Sequence, residues 1–267
     1  MFKTRLLSGI VLVILALILI ITGNEILLAA TFLISCIGMY ELYRVFHVEK
    51  SVLSLISYIA IFVYYCNLRL TVLNDMLTIV MAYLILLMFA YVFAYPKYDA
   101  KQIMACFFGF FYVGVMLSYV YQIRCLDNGV YIAFLVFICS WGCDTCAYCV
   151  GKLIGKHKMS PKLSPKKSIE GAVGGVVGTA FLAMLYAYIF HGQMEIDSQK
   201  ILLLGLIAAI AGLISMIGDL TASAIKRNND IKDYGHLIPG HGGILDRFDS
   251  MIITAPIIYY LAKFLFV

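Results

Sequence analysis

Charge is scarce in this sequence. Asp, Glu, Lys and Arg make up 13% of the 267 residues, against 63% hydrophobic residues and a mean hydropathy of +0.96. One soluble core of this length could not bury so much apolar side chain, which excludes a water-soluble globular protein and leaves an integral membrane protein. Pro-rich and Ser-rich linkers are missing and no internal repeat is evident. Residues 1–267 therefore read as a single membrane-embedded domain, with about 1–125 as a helical scaffold and about 126–267 as the half that carries the chemistry. A cleavage site is lacking too. Lys3 and Arg5 precede an apolar run as in a secretory signal, but the run passes through Gly23-Asn24-Glu25 into further apolar sequence with no small-x-small step, so an uncleaved first helix is expected. The net charge of +5 calls for no nucleic-acid partner, because orientation in a bilayer accounts for it.

What is abundant is apolar sequence broken by short polar stretches. The pattern predicts an all-α, polytopic membrane protein with about nine transmembrane helices, at about 6–22, 24–43, 51–68, 72–95, 103–121, 129–150, 171–190, 200–225 and 250–267. With the N-terminus in the cytoplasm, all of the 20 Lys and Arg except Arg69, Arg124, Lys200 and Lys263 fall on the cytoplasmic side. The two long loops then face the cytoplasm. The eight cysteines sit mostly within apolar runs, where a thiol packs as a small apolar side chain. Cys139, Cys143, Cys146 and Cys149 include two C-x-x-C spacings, which hold zinc or iron-sulfur clusters when they lie in turns. Here they lie on a predicted membrane helix, so neither a thiolate metal site nor a disulfide framework is expected.

Against this background four Asp stand out. Asp144 lies eight residues before Lys152, and Asp219 lies seven before Lys226. At about 1.5 Å per residue, each carboxylate sits on the order of 10 to 12 Å below its helix end. A carboxylate in hydrocarbon needs a cation, a hydrogen-bonding partner or a watery cavity. Neutralisation by a nearby Lys, or hydrogen bonding within the bundle, is the plain explanation for either one alone. Two at matched depth, joined by Asp246 and Asp249 at the start of the last helix, point instead to a shared divalent cation that relieves their repulsion. Oxygen ligands completed by substrate phosphate and water describe magnesium better than a thiolate or imidazole site would. Asp246 and Asp249 are three apart, on one face of a helical turn, with Arg247 between them pointing elsewhere, toward a phosphate or a carboxylate.

Basic residues and glycines accompany the acids. Pro239-Gly240-His241-Gly242-Gly243 is a turn whose amides can approach an anion without side-chain obstruction, and Lys226, Arg227 and Lys232 stand beside it. His241 reads equally well as a phosphate contact, a proton carrier or a loop-stabilising imidazole. In the other cytoplasmic loop, Lys152, Lys156 and Lys158 read as headgroup contacts. Lys166, Lys167 and Ser168 directly precede a helix N-terminus and are candidates for triphosphate contacts. Glu170 reads as a helix-start cap or an ion-pair partner of the neighbouring lysines. Gly171, Gly174, Gly175 and Gly178 read as a close-packing helix face.

At these residues the chain resembles the phosphatidate cytidylyltransferases, or CDP-diacylglycerol synthases. The resemblance runs through S-x-x-K-R from Ser223 to Arg227, K-D-x-G from Lys232 through Asp233 to Gly235, and PGHGGILDRFDS from Pro239 to Ser250. It continues through Gly218-Asp219 and through Asp144-Thr145, Ala147-Tyr148, Gly151 and Ser164-Pro165-Lys166-Lys167, so its motifs cover the last half of the chain, while the first half agrees in hydropathy and length. Ser168, Ile169 and Tyr234 depart from the commonest form of the family, which often has Thr, Trp and Ser there. The resemblance implies an all-helical membrane enzyme, often dimeric, that uses magnesium with a second cation such as potassium. It implies condensation of CTP with phosphatidate to CDP-diacylglycerol and pyrophosphate, among membrane lipids at the inner face of a bacterial cytoplasmic membrane. In that chemistry Asp144, Asp219, Asp246 and Asp249 are expected to hold the cations, and Lys226, Arg227 and Arg247 to stabilise the lipid phosphate or the departing pyrophosphate. Ser223, Lys232, Asp233, Gly240, His241, Gly242 and Gly243 join Lys166, Lys167 and Ser168 as substrate contacts.

Two rival readings make different products. A CTP-using polyprenol or phytol kinase would transfer the γ-phosphoryl group and release CDP. An ion or proton-coupled transporter would use Asp144 and Asp219 as a relay but would leave the hydrophilic stretch from Lys226 to Asp249 without a task.

Overall fold

The computed structural model of the protein describes residues 2–266, and side chains for residues 7–264; the side chains of Lys3 and Arg5 and residue 267, on which the first and last predicted helices partly rest, lie outside the described residues. The chain is an all-α polytopic membrane protein. Helices α1 (Phe2–Thr22), α2 (Asn24–Val45), α3 (Val52–Leu70) and α4 (Met76–Phe93) come first. A long apolar rod follows, made of α5 (Ala100–Gly109), a π-helical turn (Phe110–Val115) and α6 (Met116–Arg124). A second rod joins α7 (Gly129–Phe137), a π-helical turn (Ile138–Gly142) and α8 (Cys143–Ile154). Then come strands β1 (Lys158–Ser160) and β2 (Ser164–Ser168), α9 (Ile169–Ile189), the short α10 (His191–Met194), α11 (Ser198–Asn228) and α12 (Leu245–Phe266). Every predicted helix has a counterpart, and among the described residues seven helices are long and apolar enough to cross a membrane.

The differences from the sequence pattern have local causes. Thr71 closes α3 in the left-handed region at φ 49°, and the Asp75 carboxylate caps α4 by accepting the Leu77 amide at 2.9 Å, so α4 starts at Met76 rather than about residue 72. The antiparallel β1–β2 pair, with Lys158 opposite Ser168 and Ser160 opposite Ser164, is too short for alternation to reveal in sequence. Last, α12 begins at Leu245, five residues before the apolar run that predicted it, so Asp246 and Asp249 both lie within it.

The chain forms two compact units, one of residues 1–118 and 233–247, the other of residues 119–232 and 248–267. The loop 233–247 thus belongs with the N-terminal helices. The first unit is built around buried tyrosines. The hydroxyls of Tyr43 and Tyr83 both donate to the Cys106 carbonyl, at 2.9 and 3.0 Å, and Ser57 hydrogen-bonds Tyr83 at 2.7 Å. Polar groups in hydrocarbon must find such partners inside the protein.

In the second unit α9 packs between α8 and α11. A Cβ on Gly174 would stand 2.5 Å from Val150, and one on Gly178 would stand 2.7 Å from the Cys146 sulfur. These glycines do the close-packing work their spacing predicts. Without a solvent-driven hydrophobic force between helices, such close backbone approach is what supplies contact. All eight cysteines are free thiols.

Candidate active site

The second unit brings three of the four acids together. Asp144 stands in the first turn of α8, Asp219 near the cytoplasmic end predicted for α11, and Asp249 is buried on α12. The Ser250 hydroxyl reaches Asp144 Oδ2 at 3.3 Å and Asp249 Oδ1 at 3.4 Å, while the Ser250 amide donates to Asp249 Oδ1 at 2.8 Å. One hydroxyl therefore stands between two carboxylates from different helices. On α11, Gly218 admits the backbone of α12: a Cβ there would stand 2.9 Å from the Asp249 carbonyl oxygen. That contact draws the helix bearing Asp219 against the helix bearing Asp249. The charges that bear on Asp249 are Asp219, Asp144 and Lys226.

Asp219 is half-buried and has a counter-ion. Lys167, in β2, forms an ion pair with it, and Ser223, one turn further along α11, donates to its Oδ1 at 3.4 Å. Ser168 caps α9 by accepting the Gly171 amide at 3.1 Å and is buried. Lys166 beside it is exposed. Glu170 interacts with its own amide in the first turn of α9, and among the described residues its ion-pair partner is His157 rather than a lysine: it accepts the amides of Lys156 and His157 at 3.1 and 3.2 Å and hydrogen-bonds His157 Nδ1 at 2.6 Å, folding the hairpin back onto α9. At the end of α11, Lys226 is half-buried, and Arg227 donates to the Ile231 carbonyl at 3.3 Å, curling the chain that follows. Lys232 is exposed.

The first unit holds the glycine-rich turn, and its grip is unexpectedly strong. Asp246 Oδ2 accepts the amides of Tyr234 at 2.7 Å and Gly243 at 3.0 Å. Glu41, from α2, accepts the next two amides: Ile244 donates to Oε1 at 3.0 Å and Leu245 to Oε2 at 2.8 Å. Three consecutive amides are thus divided between two carboxylates. Arg44, also on α2, donates to the Tyr234 carbonyl, so the backbone of Tyr234 is held through both its N–H and its C=O. The turn itself places Gly240 at φ 77° and Gly242 at φ 88°, which L side chains rarely adopt. Ser8 hydrogen-bonds His241 Nδ1 at 2.7 Å and donates to the Pro239 carbonyl at 3.2 Å, fastening the turn to α1. Asp233 and Arg247 are half-buried, and Tyr234, one of the departures noted above, is fully buried.

Ser8, Glu41, Arg44 and Ser250 escaped the sequence reading. Glu41 left a usable signal, since an acid inside an apolar run is costly wherever it lies. Ser8 left none, because a lone Ser on a helix is commonplace, and Ser250 stands out only as the end of the PGHGGILDRFDS block.

The donor set suits a hard cation better than a soft one. Among the described residues no three His, Cys, Asp or Glu groups stand at metal-holding spacing. Magnesium requires no such cage: it takes one or two carboxylates and completes its octahedron with water and substrate phosphate. Asp144 and Asp249, sharing the Ser250 hydroxyl, supply carboxylate oxygens of that kind.

Residues 3–265 match the model of the cytidylyltransferase family. The chain is similar to the phosphatidate cytidylyltransferase of Bacillus subtilis (strain 168), with 33% identity and 97% of each chain covered. It is similar at 32% identity to the proteins of the same name in Staphylococcus epidermidis and Staphylococcus aureus, over 97% of this chain and 98% of theirs.

Proposed function

The chain belongs to the cytidylyltransferase family and is a nucleotidyltransferase, and from that premise we propose that it condenses CTP with phosphatidate, giving CDP-diacylglycerol and pyrophosphate. The observation that carries this reading is the meeting of Asp144 and Asp249 at one serine hydroxyl, beside the Lys167–Asp219 pair. Acids and a lysine gathered from separate helices within a membrane protein suit a reaction between polyanions.

In the proposed reaction an oxygen of the lipid phosphate attacks the α-phosphorus of CTP. The bond from that phosphorus to the β-phosphate bridging oxygen breaks, and pyrophosphate leaves with the electron pair. A phosphomonoester with a second pKa of about 6 is largely ionised near neutrality, so no strong general base is needed. The protein's work is to position reactants and offset negative charge. Asp144, Asp219, Asp246 and Asp249 are the residues proposed to hold magnesium and a second cation such as potassium. Magnesium, when bound, offsets charge on the phosphate oxygens and orients them. Lys226, Arg227 and Arg247 are assigned to the lipid phosphate or the leaving pyrophosphate. Lys166, Lys167, Ser168, Ser223, Lys232 and Asp233 are assigned to substrate, as are Gly240, His241, Gly242 and Gly243. Of these, Lys167 is held beside the acids by Asp219, where an ammonium attracts phosphate.

The distribution of Lys and Arg supports an N-terminus and two long loops in the cytoplasm, and the bacterial relatives support the cytoplasmic membrane as the location. A homodimer surrounded by membrane lipids completes the proposal. Purified protein incubated with phosphatidate, labelled CTP and magnesium is expected to yield a labelled CDP-lipid and pyrophosphate. Release of CDP with a phosphorylated lipid would establish a kinase instead, and CTP-independent solute uptake into liposomes would establish a transporter.

A further inference from the structure

Glu41 is an acid buried to 4% exposure within a helix otherwise suited to the membrane. Among the described residues no Lys or Arg forms a contact ion pair with it, although the charge of Arg44, one turn along the same helix, bears on it. Such a residue is costly to keep, and a neutral side chain would pack there at lower cost. What it gains is a set of hydrogen bonds to the start of α12. The residue before that helix is Ile244, whose side chain cannot accept an amide, so α12 has no cap of the usual local kind. Glu41 replaces that cap from more than two hundred residues away in sequence, with one oxygen on Ile244 and the other on Leu245.

The surrounding glycines are shaped to this carboxylate. A Cβ on either Gly235 or Gly243 would collide with Glu41 Oε1. Two glycines of the signature blocks are therefore accounted for by the space Glu41 occupies, not by their own backbone angles, since neither has positive φ. The next amide back, that of Gly243, goes to Asp246, and Arg44 on the same helix as Glu41 holds the Tyr234 carbonyl. The turn from Gly235 to Asp246 is braced from α2 at both of its ends.

We propose that Glu41 is a positioning residue for nucleotidyl transfer, fixing the Pro239–Gly243 turn and Asp246 in the arrangement that receives phosphate; this rests on the reaction proposed above. It acts through the amides it holds. Replacement by Gln, which keeps one acceptor oxygen but turns an NH2 toward the second amide, should loosen the turn without removing bulk.

The test uses the full-length protein in lipid nanodiscs, with kcat and KM for CTP measured on the folded fraction and amide hydrogen exchange followed across 235–247. Glu41→Gln is expected to lower kcat/KM for CTP by 10- to 100-fold and to speed exchange in peptides containing Gly243 to Leu245. Glu41→Asp, which keeps the charge and shortens the reach, is expected to restore part of both. Wild-type kinetics per folded molecule in Glu41→Gln, or unchanged exchange across 235–247, would overturn the inference. If Glu41→Gln does not fold, Glu41→Asp takes its place, and wild-type kcat and KM in that folded variant would overturn the inference equally. Should the unaltered protein make no CDP-lipid, the reaction proposed above fails, while hydrogen exchange still reports whether Glu41 holds the turn.

Discussion

Asp246 and Asp249 stand one helical turn apart yet meet different surroundings, and their substitutions should separate accordingly. One oxygen of Asp246 accepts two amides, from Tyr234 and Gly243, so Asp246→Asn keeps an acceptor for both. Asp246→Ala leaves both amides without that partner, at about 1–3 kcal/mol each, and is expected to lower the thermal unfolding midpoint in detergent well below that of Asp246→Asn. Asp249→Asn keeps the volume and an acceptor for the Ser250 amide. Both Asn variants are expected to fold and to release no measurable pyrophosphate; normal magnesium-dependent release by either would remove that residue from the proposed cation ligands. Gly218→Ala should act by a different route. Its new methyl would stand 2.9 Å from a backbone carbonyl of α12, and backbone yields less readily than a side-chain tip. A loss of about 1–3 kcal/mol in stability together with reduced turnover is expected, read by unfolding and pyrophosphate assays on one preparation. Asp144 and Asp219 were legible from sequence because charge is conspicuous in apolar surroundings, and Asp249 because it stands three residues after Asp246 in the PGHGGILDRFDS block. The Ser250 bridge was not, since nothing in a helical Ser announces that two carboxylates will converge on it.

At the scale of elements, capping and small-residue faces decide where helices begin and how closely they lie. Ser168 ends β2 and starts α9, with its hydroxyl on the Gly171 amide. Ser168→Ala should therefore cost about 1 kcal/mol, seen as a lower unfolding midpoint. A turnover loss beyond that expected from the unfolded fraction would separate a substrate contact from a cap. The glycine face of α9 could be read from its four-residue spacing, because helical periodicity turns that spacing into a stripe. The start of α12 could not. Hydropathy begins where apolar residues begin, whereas the helix begins earlier, where Glu41 supplies acceptors for amides that no neighbouring side chain reaches. The β1–β2 hairpin was hidden for a related reason: Glu170 holds it by bonds to the amides of Lys156 and His157, which no periodic pattern encodes.

For the whole molecule, hydropathy carried the architecture and charge distribution carried the expected orientation. The division into units was less visible. Residues 233–247 fall in the first unit, where long-range hydrogen bonds from Ser8, Glu41 and Arg44 reach them. Orientation is open to a direct check at Cys125, an exposed thiol following α6. In a variant retaining it as the sole cysteine, an impermeant maleimide is expected to label it from outside right-side-out vesicles and not from outside inverted ones. The reverse pattern would put the basic loops on the opposite side. The hold of α2 on the glycine-rich turn also bears on inheritance. A chimera that joins the first helices of one homologue to the signature blocks of another would exchange an acid on one parent for two glycines chosen by the other. Such a graft should be viable only where both parents agree at 41, 235 and 243, so recombination within the family is constrained at positions that share no stretch of sequence.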